Sequence, residues 1–302
     1  MKRRRGTPRS LVVIGDTHAG DYFGLFPVGA RLTLEEGSGY EPTPLQRKMW
    51  AHWRQFCDDW IPWATKGEPF ILAHIGDALD GVHHGSVTQF THNLKDQRRV
   101  AEALLAPLVA RAAVYYHIRG TEAHVGKSGQ EEETLAEALG AKPDSTRHFA
   151  RWELWLELAG HLGHLTHHIG TTSSSAYEST AVYKELVESF VEAGRWGDRP
   201  PQFIVRGHRH RHFETRIHGE HGSALAIVTP GWQLKTPYTY RIAGARQAQP
   251  QLGGIVVRAG DNILYADSKV WRIERPRTEV FRRAPSSRRR CGSSRCPRPP
   301  AT

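Results

Sequence analysis

Residues 11–18 read LVVIGDTH: four aliphatic residues, a glycine, then an acid and an imidazole two positions apart. A short apolar run closed by glycine fits a strand buried on both faces. On an extended chain Asp16 and His18 project to the same side. Carboxylate and neutral imidazole are donors for borderline divalent cations. The stretch therefore predicts a core strand that delivers a chelating pair at its end.

The same arrangement recurs along the chain. PFILAHI (69–75) runs into Gly76-Asp77, and AVYYHI (113–118) runs into Arg119-Gly120 followed by Thr121, Glu122 and His124. HLTHHIG (164–170) carries His167 and His168, and QFIVRG (202–207) runs into His208-Arg209-His210. Between the early strands lie helical patterns. Residues 44–60 place Leu45, Met49, Trp50, Trp53, Cys57 and Trp60 at helical spacing behind Pro44. This Trp stripe is expected to pack in the core. Residues 95–112 repeat the pattern through Val100, Leu104, Leu105 and Leu108, with Pro107 predicting a kink. Residues 129–140 open with three glutamates, where the helix dipole favours acid.

The second half reads differently. WELWLEL (152–158), a turn at AGHLG (159–163) and HLTHHIG (164–170) predict a hairpin, and 178–194 a helix. Strands are expected at 202–207, 212–219, 223–231, 253–260 and 263–273. Strand–helix alternation predicts parallel strands in the first half, and the strand-rich second half predicts antiparallel ones. The class is mixed α/β, in one domain over residues 11–275.

Strand C-termini of an open α/β sheet line the ligand crevice. Five segments could thus bring their side chains to one place. Asp16, His18, Asp77, one of His167 and His168, His208 and His210 make six ligands. That is too many for one open four-coordinate site and suits two ions sharing a carboxylate.

The formal charge of +10 belongs to the chain ends. Residues 1–10 hold five basic residues and no acid, residues 281–302 hold seven Arg and no acid, and residues 11–280 sit at −2. Both ends are poor in apolar residues and are expected to be disordered tails, with solubility or nucleic-acid contact as their roles. No apolar run is long enough for a membrane span, and LVVIG is too short for a signal segment. Three cysteines make no disulfide framework, so a cytoplasmic protein without membrane contact is expected. Oligomeric state is left open.

In this order, GDTH (15–18), HIGDALD (74–80), RGTEAH (119–124), THHIG (166–170) and RGHRH (206–210) resemble the motifs of the calcineurin-like metallophosphoesterase superfamily. The resemblance spans about residues 11–275. It implies a four-layer α/β/β/α sandwich with two mixed β-sheets. It implies two divalent metal ions, manganese foremost, with zinc, iron or nickel as alternatives. Asp16, His18 and His210 would hold one ion; His167 and His208 would hold the other, with Asp77 bridging. His167 is preferred over His168, which is the fallback. A hydroxide between the ions would attack phosphorus.

The sequence departs from the family at 119–124. Where the family has Gly-Asn-His, Thr121 takes the Asn position and Glu122 the His position, with His124 two residues later. This GTEAH variant resembles bacteriophage-type members. Glu122 could supply the missing metal contact, and His124 could protonate the leaving oxygen as general acid. Arg119 and Arg206 precede motif glycines and could reach a phosphate. His84, with Asp80 and His83, could touch substrate or orient ligands, and Trp232, Lys235 and Tyr238 could wall the cleft. The expected activity is hydrolysis of phosphoesters, a phosphodiesterase or nuclease first. A small-molecule phosphomonoesterase or a cyclic-nucleotide phosphodiesterase is the enzymatic rival. A non-catalytic scaffold on the same fold is the alternative of another class, although a scaffold has no need of Asp16, His18, Asp77, His208 and His210 together.

Overall fold

The computed structural model describes residues 7–83, 85–170, 175–219, 222–241, 249–261, 263–273 and 279. Both Arg-rich ends lie largely outside these residues, and so does His84. Arg9 and Ser10 belong to the fold: Arg9 bonds the Ala259 carbonyl, and Ser10 opens the first strand. No helix among the described residues is long and apolar enough to cross a membrane.

Among the described residues eleven strands form two sheets. The first sheet contains β1 (Ser10–Ile14), β2 (Phe70–His74), β3 (Val114–Ile118), β4 (Ala150–Arg151), β10 (Gln251–Ala259) and β11 (Leu264–Arg272). Its order is β11-β10-β1-β2-β3-β4. Strands β1 to β4 are parallel, and β10 and β11 add an antiparallel edge. The second sheet contains β5 (Leu154–Leu158), β6 (His161–Leu165), β7 (Phe203–Arg206), β8 (Phe213–Gly219) and β9 (Gly222–Val228), in the order β5-β6-β7-β9-β8.

Helices α1 (Pro44–Gln55), α2 (Ile61–Ala64), α3 (Leu94–Val109) and α5 (Gln130–Ala138) belong to the first sheet's side; α4 (Glu122–Val125) is a single turn; α6 (Glu178–Trp196) serves the second sheet. Thr43 starts α1 through a reciprocal cap with Gln46. The helix expected over 44–60 widens into a π-helical turn at Phe56–Trp60. That turn lies just ahead of Pro62, which has no N–H for the carbonyl four residues back.

Strand alternation builds the layers. In β1, Val12 and Ile14 face the helices with Trp53, Phe56 and Leu104. Leu11 and Val13 face the second sheet, against Leu156, Phe203, Val205 and Ile227. On the far side of that sheet Ile204, Ala226 and Val228 meet Val182 and Leu186 of α6. Three apolar interfaces separate four layers, α/β/β/α. Each fully buried Leu, Ile or Val is worth roughly 1.5–3 kcal/mol, so these interfaces can hold considerable strain in the loops above them. Trp53 and Trp60 of the Trp stripe are in the core.

Two features differ from expectation. The hairpin turn is only Ala159-Gly160, both at positive φ, so β6 begins at His161 rather than 164. Two such residues make a tight turn that matches the strand twist. The second sheet is also not antiparallel throughout: β6, β7 and β9 run parallel. Helix α6 carries the chain back between β6 and β7, and β8 lies outside β9. A helix between two strands was the signal for that crossover.

Candidate metal centre

The parallel strands of both sheets end at one edge, where their loops are laced together. Asp16 N–H donates to the Gly76 carbonyl at 2.8 Å, His18 N–H to the Asp77 carbonyl at 3.1 Å, and Gly207 N–H to the His167 carbonyl at 2.9 Å. His208 N–H donates to Asp16 Oδ2 at 3.3 Å. Such close approach requires glycine at Gly76 and Gly120. A Cβ on Gly76 would lie 2.7 Å from Gly120 Cα, and one on Gly120 would lie 2.0 Å from Asp77 Oδ1.

Among the described residues six side chains converge there in two groups, Asp16–His18–His210 and Asp77–His167–His208, and Asp80 and His124 form a third group with His18. Within each group one potential ligand atom per residue lies within 4.8 Å of the others. Among the described residues eight non-glycine residues have positive φ; five are Asp16, His18, Asp77, His208 and His210. Left-handed backbone at a non-glycine residue costs of order 1–3 kcal/mol. Five such residues in one constellation mean that the fold sustains strain to aim these side chains.

The donor atoms fit cations. His167 Nδ1 faces the Ile75 carbonyl at 2.6 Å, which places a ring proton there and turns Nε2, the nitrogen a cation would take, into the site. That nitrogen is 3.1 Å from Asp77 Oδ2, yet it is buried without a hydrogen-bond partner. Asp16 Oδ1 is equally without one, 3.2 Å from His210 Nε2. His18 Nδ1 faces Asp80 Oδ1 at 3.1 Å, leaving its Nε2 towards His210 Nε2, also at 3.1 Å. Facing lone pairs at such distances suit a cation between them. These clusters could hold metal ions.

Electrostatics prepare the same donors. Burial opposes charge on Asp77, but His167 and His124 hold its carboxyl well below the usual range. Asp16 is likewise lowered by His210 against the effect of burial. Burial and the neighbouring His124 push His18 down to about 4; burial and His167 do the same for His208, also to about 4. Two carboxylates and two neutral imidazoles are the protonation states that offer lone pairs. His167 is the exception: burial lowers it, but Asp77 and Asp16 carry it up to about 10. In the cation-free chain its proton balances the buried carboxylates.

The Thr121–His124 turn resolves into helix α4, with Thr121 at its N-cap. Positions three apart share a helix face, so His124 returns to the site while Glu122 turns outward. His124 Nδ1 bonds the Asp80 carbonyl at 2.5 Å, and Nε2 lies 3.9 Å from Asp77 Oδ2. Its ring meets that of His18 edge-on at 4.5 Å. Glu122 is exposed and belongs to neither group, contrary to the expected metal contact. Thr121, expected at a ligand position, is instead a donor: its N–H and Oγ1 donate to Asp77 Oδ1 at 2.7 and 3.2 Å and grip the carboxylate.

Other expected residues are placed elsewhere. His168 is exposed, because alternation beyond β6 turns His167 inward with Leu165 and His168 outward. Arg119 is not free for substrate: its guanidinium bonds the Ala150 and Ser128 carbonyls and Glu133, tying β4 to α5. Arg206 is 3 % exposed and is spent on Glu185 and the His164 carbonyl. Trp232 is a core residue against Trp53 and Phe56, not a cleft wall. Asp80 is the residue whose importance sequence spacing understated. It is fully buried and accepts from His18, His83, Gln89 and Gln233. Gln233 also reaches Asp21 Oδ2 at 2.7 Å. The second Asp of GDALD was the visible signal; nothing in the sequence marked Gln89 or Gln233.

The fold and site thus define a class: a four-layer α/β protein with two mixed sheets and a buried Asp/His constellation at their common edge. No family model matches the sequence, and no curated protein matches it. Among solved structures, Vps29 of Chaetomium thermophilum is 8 % identical, covering 90 % of this chain and 99 % of that one with a TM-score of 0.36. The Thermotoga maritima protein TM1076 is 10 % identical, covering 87 % of this chain and 99 % of that one with a TM-score of 0.34. Vacuolar protein sorting 29 of Cryptosporidium parvum is 9 % identical, covering 89 % and 100 %, with a TM-score of 0.33. All three are distant likenesses.

Proposed function

We propose that the chain is a calcineurin-like metallophosphoesterase that hydrolyses phosphoester bonds with two divalent cations, manganese foremost. The observation that carries this reading is the pair of buried groups, Asp16–His18–His210 and Asp77–His167–His208, with their orphaned donor atoms. Two cations there would activate water for attack on phosphorus and neutralise charge on the phosphoryl oxygens.

The chain's own residues supply the rest. Thr121 fixes Asp77, and Asp80 fixes His18 through its ring N–H. His124, held by its Nδ1, has Nε2 directed at the site and delivers a proton to the leaving oxygen. A phosphodiester, nucleic acid included, is the favoured substrate, because the twelve basic residues of the two chain ends suit a polyanion.

The test is to strip metal, restore Mn²⁺, and assay bis-nitrophenyl phosphate, nitrophenyl phosphate and single-stranded DNA in parallel. Metal-dependent turnover of the diesters is expected. Faster cleavage of the monoester would replace the diesterase reading, and no turnover on any would favour a non-catalytic role.

A further inference from the structure

Glu132, in the first turn of α5, is fully buried, and no motif includes it. A buried carboxyl group is costly unless its oxygens are bonded. Both are. Oε1 accepts from Ala78 N–H at 2.9 Å, and Oε2 from Gly120 N–H at 2.6 Å. His117 Nε2, at 3.6 Å, is too far to be a hydrogen-bond partner.

The two anchored amides have particular positions. Ala78 follows Asp77, whose backbone is left-handed at φ 53°. Gly120 precedes Thr121, which grips the Asp77 carboxylate. Ala78 is held from its other side as well, since its carbonyl accepts from Thr17 Oγ1 at 3.0 Å and Ala19 N–H at 2.9 Å. One side chain from a helix therefore ties the loop that carries Asp77 to the loop that holds it.

We propose that Glu132 is a positioning residue for the metal centre: by clamping the Ala78 and Gly120 amides it sets the orientation in which Asp77 faces His167 and His208. It touches neither substrate nor ligand atoms, and it acts through the backbone of the two loops. This rests on the metallophosphoesterase reading. The expected consequence is asymmetric. The group built on Asp77, whose loop the clamp holds directly, should lose more than the group built on Asp16, His18 and His210, which the clamp reaches only through the Ala78 carbonyl and its bonds to Thr17 and Ala19.

The test compares Mn²⁺ binding by calorimetry and electron paramagnetic resonance in wild type and Glu132→Gln. Glutamine offers one acceptor oxygen and an NH₂ group that can only donate, so only one of the two amides stays bonded. The first Mn²⁺ should bind nearly as in wild type, and the second roughly tenfold or more weakly, the scale of loss on removing a ligand-orienting partner. The exchange-coupled signal of the ion pair should weaken accordingly. Unchanged binding of both ions, even with a lower Tm, would make Glu132 a merely structural residue and overturn the proposal. If Glu132→Gln does not fold, amide exchange in metal-free wild type decides. Protected Ala78 and Gly120 amides support the clamp; exchange as fast as exposed loop amides overturns it. Wild type that couples two Mn²⁺ ions but hydrolyses no phosphoester overturns the catalytic reading and leaves the clamp supported by the binding result. Wild type that takes up no Mn²⁺ overturns both.

Discussion

Replacing His124 by alanine separates proton delivery from the rest of the site. The ring is held by the Asp80 carbonyl at 2.5 Å, with Nε2 3.9 Å from Asp77 Oδ2. Its side chain is 15 % exposed, so it sits at the mouth and not in the floor. His124 lies outside Asp16–His18–His210 and Asp77–His167–His208, although with His18 and Asp80 it forms a third cluster of donor atoms. Because its Nδ1 is bonded to the Asp80 carbonyl and its role here is proton delivery, the substitution should leave Mn²⁺ content unchanged. A positioned general acid contributes about 10²–10⁴-fold where the leaving group needs a proton, which is roughly 3–5 kcal/mol of barrier. Nitrophenolate leaves without one. The assay is kcat for wild type and His124→Ala on a methyl nitrophenyl diester, a dialkyl-type diester and a dinucleotide, at saturating Mn²⁺. A loss of about 10²-fold or more on the alkyl and dinucleotide substrates, with only a few-fold loss on the nitrophenyl ester, is expected. Equal losses on all of them would refute the acid role. Loss of bound metal would show that His124 is a ligand instead.

Three further outcomes follow from the geometry. Glu122→Gln should retain both Mn²⁺ ions, because Glu122 is exposed and outside both groups; loss of one ion by elemental analysis would contradict its placement. Adding Mn²⁺ at a hundred times its Kd to metal-free protein should stabilise by about 2.7 kcal/mol per ion, raising Tm by about 5–10 °C for one ion; an unchanged melting curve would argue against the metal centre. Burial first, then Asp80, raises Asp21 from 3.8 to about 7. The folded chain then holds a proton that the unfolded chain releases, so this group's contribution to stability falls as pH rises from about 4 to 7, by at most about 4 kcal/mol. Urea denaturation of Asp21→Asn should show its stability relative to wild type improving across that range; a difference that stays constant with pH would refute the shift.

Much of the architecture was legible locally. LVVI is buried on both faces, and that reads as a continuous apolar run. Leu154–Leu158 alternates because one face meets the core and the other meets solvent. The parallel direction of β6, β7 and β9 was less legible, since strand direction depends on where the crossover packs and not on strand composition. In the site, Asp-x-His and His-x-His spacing identified side chains that do meet. Arg119 and Arg206 look like phosphate ligands from their place beside glycine. Only their partners, Glu133 and Glu185, show that they are occupied.

By itself the sequence determined most of the strands and helices and the donor types, because apolar periodicity and Asp/His spacing are properties of adjacent residues; the four layers were implied only by the resemblance. Tertiary structure decided which donors face one another. A single helical turn after Gly120 swings Glu122 to solvent and brings His124 back to Asp77. Strand alternation past β6 selects His167 over its neighbour. Glu132, a residue of an ordinary acidic helix start, becomes the tie between two loops. In each case the deciding contact joins segments far apart in the chain, and the direction of a loop side chain is fixed by those contacts, not by its own neighbours.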